Sequence, residues 1–129
     1  MVARLDRYFV LTGLVFAGIG LMLGEHMGRT GNHGQMPTHA HIMLAGFVMP
    51  VIYGALYRLW PTLKAGRLPL VHYALHLLGA LALIIALYLY YGGIAEEASL
   101  IALFAAGPAG IILGLLLFLV LFFLKGKDA

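Results

Sequence analysis

Histidine is the residue type in this chain that is best suited to chemistry, and its six copies are unevenly placed. The four that precede or open one apolar run are His26, His33, His39 and His41. The last two lie within the stretch PTHAHIMLAGFVMP at positions 37–50. Because neutral imidazole is the commonest metal ligand among side chains, this region is the first candidate binding site.

The spacing of His39 and His41 separates their side chains. At about 100° per residue of helix they project about 160° apart, so they cannot easily bind one ion. Each imidazole then serves a different site, and in a symmetric oligomer His39 of one copy can face His41 of the next. Gly46 follows His39 by seven residues and Ala45 follows His41 by four. Both are small enough to leave room for a flat ligand, although they also suit close helix packing.

A second pair, His72 and His76, has the i, i+4 spacing that places two side chains on one helix face. Such a pair is expected to hydrogen bond near the cytoplasmic membrane boundary, to hold a second metal ion, or to contact the edge of a quinone or haem. Counted along the helices from the turn at 61–68, His76 and His39 differ in depth by about 20 Å at 1.5 Å per residue. One iron atom therefore cannot be ligated by both.

The elements that carry these histidines are predicted from composition. Hydrophobic residues make up 63% of the 129 residues, charged residues make up 10%, and the mean hydropathy is +0.99, which is typical of an integral membrane protein. Since a helix needs about 20 apolar residues to cross a bilayer, four runs qualify as spans. They are about 8–27, 39–60, 68–91 and 97–124.

These runs are continuously apolar, which excludes a β-barrel and predicts one all-α transmembrane domain over residues 1–129. No small-x-small cleavage site follows the first run, so it is expected to remain as a span. The absence of cysteine excludes disulfides, thiolate metal sites and covalent c-type haem attachment.

Basic residues flank the spans asymmetrically. One side carries Arg4, Arg7, Arg58, Lys64, Arg67, Lys125 and Lys127, while Arg29 alone lies on the other. The positive-inside rule then places both termini and the 61–67 loop in the cytoplasm, and the chain in the cell inner (cytoplasmic) membrane. The net charge of +3 reflects this topology and contacts with anionic membrane lipid, and it does not indicate nucleic-acid binding.

Two prolines lie inside predicted spans. Pro50 and Pro108 each remove a backbone donor, which predicts kinks and free carbonyls at Gly46 and Phe104. Glycines provide surfaces for close helix contact in the first and fourth spans. They are Gly13, Gly18, Gly20, Gly24, Gly107, Gly110 and Gly114.

One helix resembles a known family. The order His39-Ala-His-Ile-Met43, then Val48-Met49-Pro50 and Leu59-Trp60-Pro61, is similar to the second transmembrane helix of the catalytic subunit of haem-copper oxidases. The resemblance covers about 24 residues, one helix of four. It implies that His39 corresponds to the low-spin haem ligand. The His-x-His spacing also resembles the family's tenth helix, where two histidines serve two different haems.

The family resemblance also implies an assembly. The twelve-helix core of those oxidases consists of three arcs of four helices about a pseudo-threefold axis, with metal ligands on the second helix of each arc. This chain is one arc long and carries its histidine pair on its second helix. A homotrimer would imitate the whole core, with haem b between neighbours and His39 and His41 of adjacent copies as axial ligands. Met43 and Gly46 would contact this haem, and Arg29 would pair with a propionate.

Departures from the family limit the expected activity. The chain lacks the copper-binding His-Pro-Glu-Val-Tyr helix and the adjacent His-His pair, and two imidazoles leave no open iron position for oxygen. Electron transfer or haem binding, with a quinol or cytochrome as redox partner, is therefore expected in place of oxygen reduction.

Two alternative functions remain open. An outward copper or zinc site would use histidine and methionine ligands, which suit copper. Its ligands would come from His26, Met27, His33, Met36, His39 and His41. A structural accessory subunit of a respiratory complex would bind neither haem nor metal.

Overall fold

A computed structural model describes residues 2–127, which form helices and contain no strand. The four long helices are α1 (Leu5–Thr30), α2 (Met36–Leu59), α3 (Leu68–Tyr91) and α4 (Glu97–Lys125). Each is long and apolar enough to cross a membrane. The predicted four-helix architecture is confirmed: α3 has the expected bounds, and the other helices begin and end within three residues of theirs.

Helix α2 is not a regular α-helix along its whole length. Its outer part is α-helical over Met36–His41, its middle is π-helical over Ile42–Val48, and its inner part is α-helical over Met49–Leu59. A π-helical segment contains wider turns than an α-helix, and such segments often occur at functional sites.

The π-helical segment changes which carbonyl lacks a backbone donor. The N–H of Met49 bonds to the carbonyl of Leu44, five residues earlier. The next donor in this pattern would be Pro50, which has no N–H, so the carbonyl of Ala45 receives no proton from it. The prediction that Pro50 frees the carbonyl of Gly46 is therefore corrected by one residue, because the i−5 pattern replaces the i−4 pattern here.

Helices α1 and α2 approach closely at glycines. A Cβ atom at Gly13 would lie 3.0 Å from the carbonyl oxygen of Phe47, and one at Gly54 would lie 2.8 Å from the carbonyl oxygen of Asp6. The predicted role of the α1 glycines in close packing is confirmed at Gly13, Gly20 and Gly24. It is wrong at Gly18, where a Cβ atom would have no neighbouring atom within 4 Å.

Helices α3 and α4 also form an extensive helix pair. A Cβ at Gly79 would lie 2.7 Å from the carbonyl oxygen of Gly107, and one at Gly110 would lie 2.8 Å from that of Leu75. The predicted glycine contacts of the fourth span are thus confirmed. Helix α4 continues through Pro108 to Lys125.

The chain termini and the turn between α2 and α3 lie at one end of the bundle, here called the inner end. The backbone N–H of Val2 bonds to the carbonyl of Lys64 at 3.3 Å. The Thr62 hydroxyl donates to the carbonyl of Lys125 at 2.9 Å, and Lys125 Nζ donates to the carbonyl of Ala65 at 2.8 Å. An even number of helices that alternate in direction returns the chain to the side where it began, so both termini lie at this end.

Two buried clusters fill the bundle. The inner cluster consists of Leu5, Phe9, Tyr53, Tyr57, Leu63 and Phe118. The outer cluster consists of Phe16, Ile42, Ala45, Ala80 and Ile84. The outer histidines lie beyond the second cluster, near the end of α2 that begins at Met36.

Candidate functional site

His39 is held against α1. Its Nδ1 lies 2.8 Å from the carbonyl oxygen of Gly20, and its ring passes over Gly24, where a Cβ would lie 2.8 Å from Cε1. A carbonyl oxygen can only accept a hydrogen bond, so Nδ1 of His39 carries the proton. Nε2 of the neutral ring then keeps its lone pair for a metal.

His41 has the same protonation pattern but a different anchor. Its Nδ1–H donates to the carbonyl of Pro37, one turn earlier on the same helix, at 2.7 Å. Since the segment Met36–His41 is α-helical, His41 projects about 160° from His39 and away from α1. Both side chains are half-buried. Within one copy the two imidazoles therefore do not converge on a common ion.

Met43 and Gly46 lie on the same face of α2 as His39, the face toward α1. The sulfur of Met43 lies 2.5 Å from the position that a Cβ at Gly20 would take. The space beside Gly46 is filled by Phe16, whose ring lies 2.7 Å from the Cβ position. The room for a flat ligand that the sequence predicts at Gly46 is thus taken by α1, and both residues shape the interface that orients His39.

The outer side chains that were predicted to contact haem or metal form polar contacts within the chain. Arg29 forms an ion pair with Glu25 at 3.0 Å, and its Nη2 lies 3.4 Å from Nδ1 of His26. His33 donates its Nδ1–H to the carbonyl of Gly31 at 3.0 Å. Arg29, His26 and His33 are exposed, so all three remain accessible from outside the bundle.

The predicted copper ligands are only partly accessible. Met36 is exposed, but Met27 is buried. Over residues 2–127, no group of three or more His, Asp or Glu side chains is placed to hold a metal ion. The proposed histidine ligands therefore do not form a preassembled group of three in the described part of one copy.

His76 lies in the interior, where it satisfies the carbonyl that the π-helical segment exposes. Its Nε2–H donates to the carbonyl of Ala45 at 2.7 Å. Ala45 is six residues from His39, or about 9 Å along a helix, so the predicted depth difference of about 20 Å between His39 and His76 is too large. The reason is that the His76 side chain reaches across from α3 toward the outer half of α2.

His72 pairs with a tyrosine. Its Nδ1 and the hydroxyl of Tyr57 are 2.9 Å apart, and the rings of Phe9 and Phe118 lie 5.0 and 5.2 Å from the imidazole centroid. His72 and His76 are 0% and 1% exposed. Both therefore form buried hydrogen bonds between α2 and α3, which agrees with the hydrogen-bonding role among those predicted for this pair.

Three polar atoms of this inner region have no hydrogen-bond partner in the described chain. They are the hydroxyl of Tyr53, Nε2 of His72 and Nδ1 of His76. The Tyr53 ring contacts both imidazoles, with centroid distances of 4.4 Å to His72 and 5.4 Å to His76. Since buried polar groups are seldom left unpaired, these atoms are the least satisfied part of the interior.

No protein-family model matches the chain, and neither a curated protein nor a solved structure is detectably similar to it.

Sequence reasoning missed the partners of the histidines. Gly20 and Gly24 were recognised as packing residues, but their contact with His39 depends on how α1 and α2 cross. The pairing of Tyr57 with His72 joins residues 15 positions apart on two helices, and no pattern along the chain indicates it.

Proposed function

We propose that this protein is a small membrane cytochrome that binds haem b through His39 and His41. The observation that carries the proposal is the hydrogen bond from each Nδ1–H to a backbone carbonyl, at Gly20 and at Pro37. Metal-ligating histidines commonly donate their second ring nitrogen in this way, which fixes the tautomer and increases the basicity of the ligating nitrogen. In both residues the backbone bond is made by Nδ1, so Nε2 is the nitrogen that would bind iron.

The haem would be held between copies of the chain. His39 and His41 face different directions on α2, so each copy supplies one ligand to each of two neighbours. A closed ring of three copies, with each haem held by His39 of one and His41 of the next, satisfies this geometry and accords with the resemblance to a haem-copper oxidase arc. Both termini are cytoplasmic in this arrangement, and the haems lie near the outer surface of the inner membrane.

The redox role follows from the ligand set. Haem b would supply one-electron chemistry, and His39 and His41 of neighbouring copies would hold its iron and leave no position for oxygen. This favours electron transfer, with a quinol or cytochrome as partner, or haem binding, over oxygen reduction. The residues of the chain then act by holding the imidazoles, through the carbonyls of Gly20 and Pro37, and by excluding water through the apolar faces of α1 and α2.

The absorption spectrum of the purified protein, oxidised and reduced, tests this function. The wild-type protein is expected to show a Soret band and the sharp reduced bands of bis-histidine haem b. His39→Ala and His41→Ala each remove one axial ligand from every interface, so either change should abolish the low-spin spectrum. The proposal fails if the wild type lacks haem or if both variants retain their full haem content.

His33→Ala is the matched control. His33 also donates Nδ1–H to a carbonyl, that of Gly31, but it is exposed and precedes the apolar run. Its replacement should leave the spectrum unchanged. Metal analysis of the same preparations separates the alternatives: copper or zinc without haem indicates the outward metal site, whereas neither haem nor metal indicates a structural accessory subunit.

A further inference from the structure

A cavity of about 590 Å³ opens between the inner ends of α1 and α2. Its polar wall is formed by Asp6, Arg7 and Arg58, and its apolar wall by Val10, Leu11 and Ala55. We propose that this cavity binds the headgroup and upper acyl chain of an anionic phospholipid. The proposal does not depend on haem binding.

The charges of the cavity favour an anion. Asp6 is buried and already pairs with the buried Lys64, at 3.3 Å. The side chain of Arg58 is 81% exposed and lies 3.7 Å from the second oxygen of Asp6, which is a long ion pair. Arg7 is exposed and makes no ion pair with any described residue. The charge of Asp6 is therefore already balanced by Lys64, which does not line the cavity. The two exposed guanidiniums of the cavity wall remain available to a phosphate, which they can contact through paired N–H groups.

The cavity has its charged residues and its apolar residues in the same order as the headgroup and acyl chain of a phospholipid. Val10 and Leu11 lie three and four residues after Arg7 on α1, while Ala55 lies three residues before Arg58 on α2. Each arginine thus stands about one helical turn closer to the inner end than its apolar neighbours, or about 5 Å. A phosphate at the arginines would place an acyl chain on Leu11, which is exposed.

Helices α1 and α2 pack closely at the base of the cavity. Gly54 lies against α1, where a Cβ would be 2.8 Å from the carbonyl oxygen of Asp6 and 2.6 Å from the side chain of Val10. Helices α1 and α2 are therefore already in close contact beside the cavity. Arg7 and Arg58 lie within one turn of the helix ends, at the level where lipid phosphates border the hydrocarbon core.

Native mass spectrometry of the protein, extracted from vesicles of phosphatidylcholine mixed with phosphatidylglycerol, measures the retained lipid. The wild type is expected to retain phosphatidylglycerol in preference to phosphatidylcholine. Each lost arginine should weaken this retention by about fivefold, since one basic residue near an anionic surface contributes about a factor of that size. Retention of phosphatidylglycerol should therefore fall from the wild type to Arg7→Gln, and fall further in the double variant Arg7→Gln with Arg58→Gln.

Arg67→Gln is the matched control, because Arg67 is exposed at the same end of the bundle but does not line the cavity. It should retain phosphatidylglycerol as the wild type does. Equal loss in Arg67→Gln would show a diffuse surface charge and overturn the site. If inorganic phosphate displaces the lipid at equal phosphate concentration, the cavity is a site for free anions and the lipid assignment is overturned. Equal retention of phosphatidylglycerol and phosphatidylcholine by the wild type would overturn it as well.

Discussion

At the scale of single residues, the interior contains one tyrosine hydroxyl that is paired and one that is not. Tyr57 bonds to His72, whereas the hydroxyl of Tyr53 has no partner among the described residues. Replacing Tyr57 with Phe should lower the free energy of unfolding by about 1 kcal/mol, because the hydrogen bond is lost and Nδ1 of His72 is left unpaired.

The same substitution at Tyr53 is the control. Tyr53→Phe removes a buried hydroxyl that has no partner in the described chain, so stability should stay unchanged or rise by up to about 1 kcal/mol. Denaturant unfolding of both variants in detergent, followed by circular dichroism, gives the comparison. Equal loss in the two variants would mean that Tyr53 has a bound partner, such as a buried water.

A second residue-scale prediction concerns the buried ion pair of Asp6 and Lys64. Lys64→Met leaves a buried carboxylate whose nearest remaining cation is Arg58 at 3.7 Å. This change should cost about 3 to 5 kcal/mol of unfolding free energy. Asp6→Asn combined with Lys64→Met should cost less than Lys64→Met alone, since it also removes the unpaired charge. A double variant that is as unstable as the single one would contradict the pairing.

At the scale of helices, the orientation of His39 depends on its contact with α1. A Cβ at Gly24 would lie 2.8 Å from Cε1 of His39, whereas one at Gly18 has open space around it. Gly24→Ala should therefore displace the imidazole, strain its bond to Gly20 and weaken haem binding by about tenfold, as is common for the loss of a group that supports a metal ligand. Haem titration of the apoprotein measures the effect.

Gly18→Ala is the matched control for this helix. It makes the same change on α1 without a neighbour to displace, so its haem affinity should equal that of the wild type. If Gly24→Ala binds haem as tightly as Gly18→Ala, the α1 contact does not position the ligand.

The helices also show what can be predicted from sequence. Apolar runs of sufficient length specified all four spans, because the cost of exposing backbone polar groups to lipid leaves few alternatives. Pro50 indicated an irregularity in α2, but the number of residues in each turn of that helix depends on how it packs against α1 and α3. The choice of Ala45 as the exposed carbonyl, and of His76 as its donor, therefore required the folded chain.

At the scale of the whole molecule, the proposed haem site belongs to an assembly. His39 and His41 of one copy face different directions, so His39→Ala and His41→Ala damage opposite sides of each interface. Coexpression of the two variants should restore haem at about a quarter of the interfaces under random mixing, wherever an intact His39 meets an intact His41. The haem content of the purified mixture, relative to wild type, measures this fraction.

Ligation of haem within one copy gives a different result. Each variant would then lack one ligand in every copy, and mixing would restore no haem. The separate variants provide the baseline, and a mixture that stays at that baseline would contradict the shared site.

The π-helical segment Ile42–Val48 has a consequence for the angular phase of α2. One additional residue relative to a regular helix turns everything beyond it by about 100°. His39 and His41 lie before this segment, and Tyr53 and Tyr57 lie after it. The direction of the outer imidazoles relative to the inner aromatic cluster is thus set by the number of residues in this segment, so a deletion of one residue there would rotate the outer ligands without changing any of them.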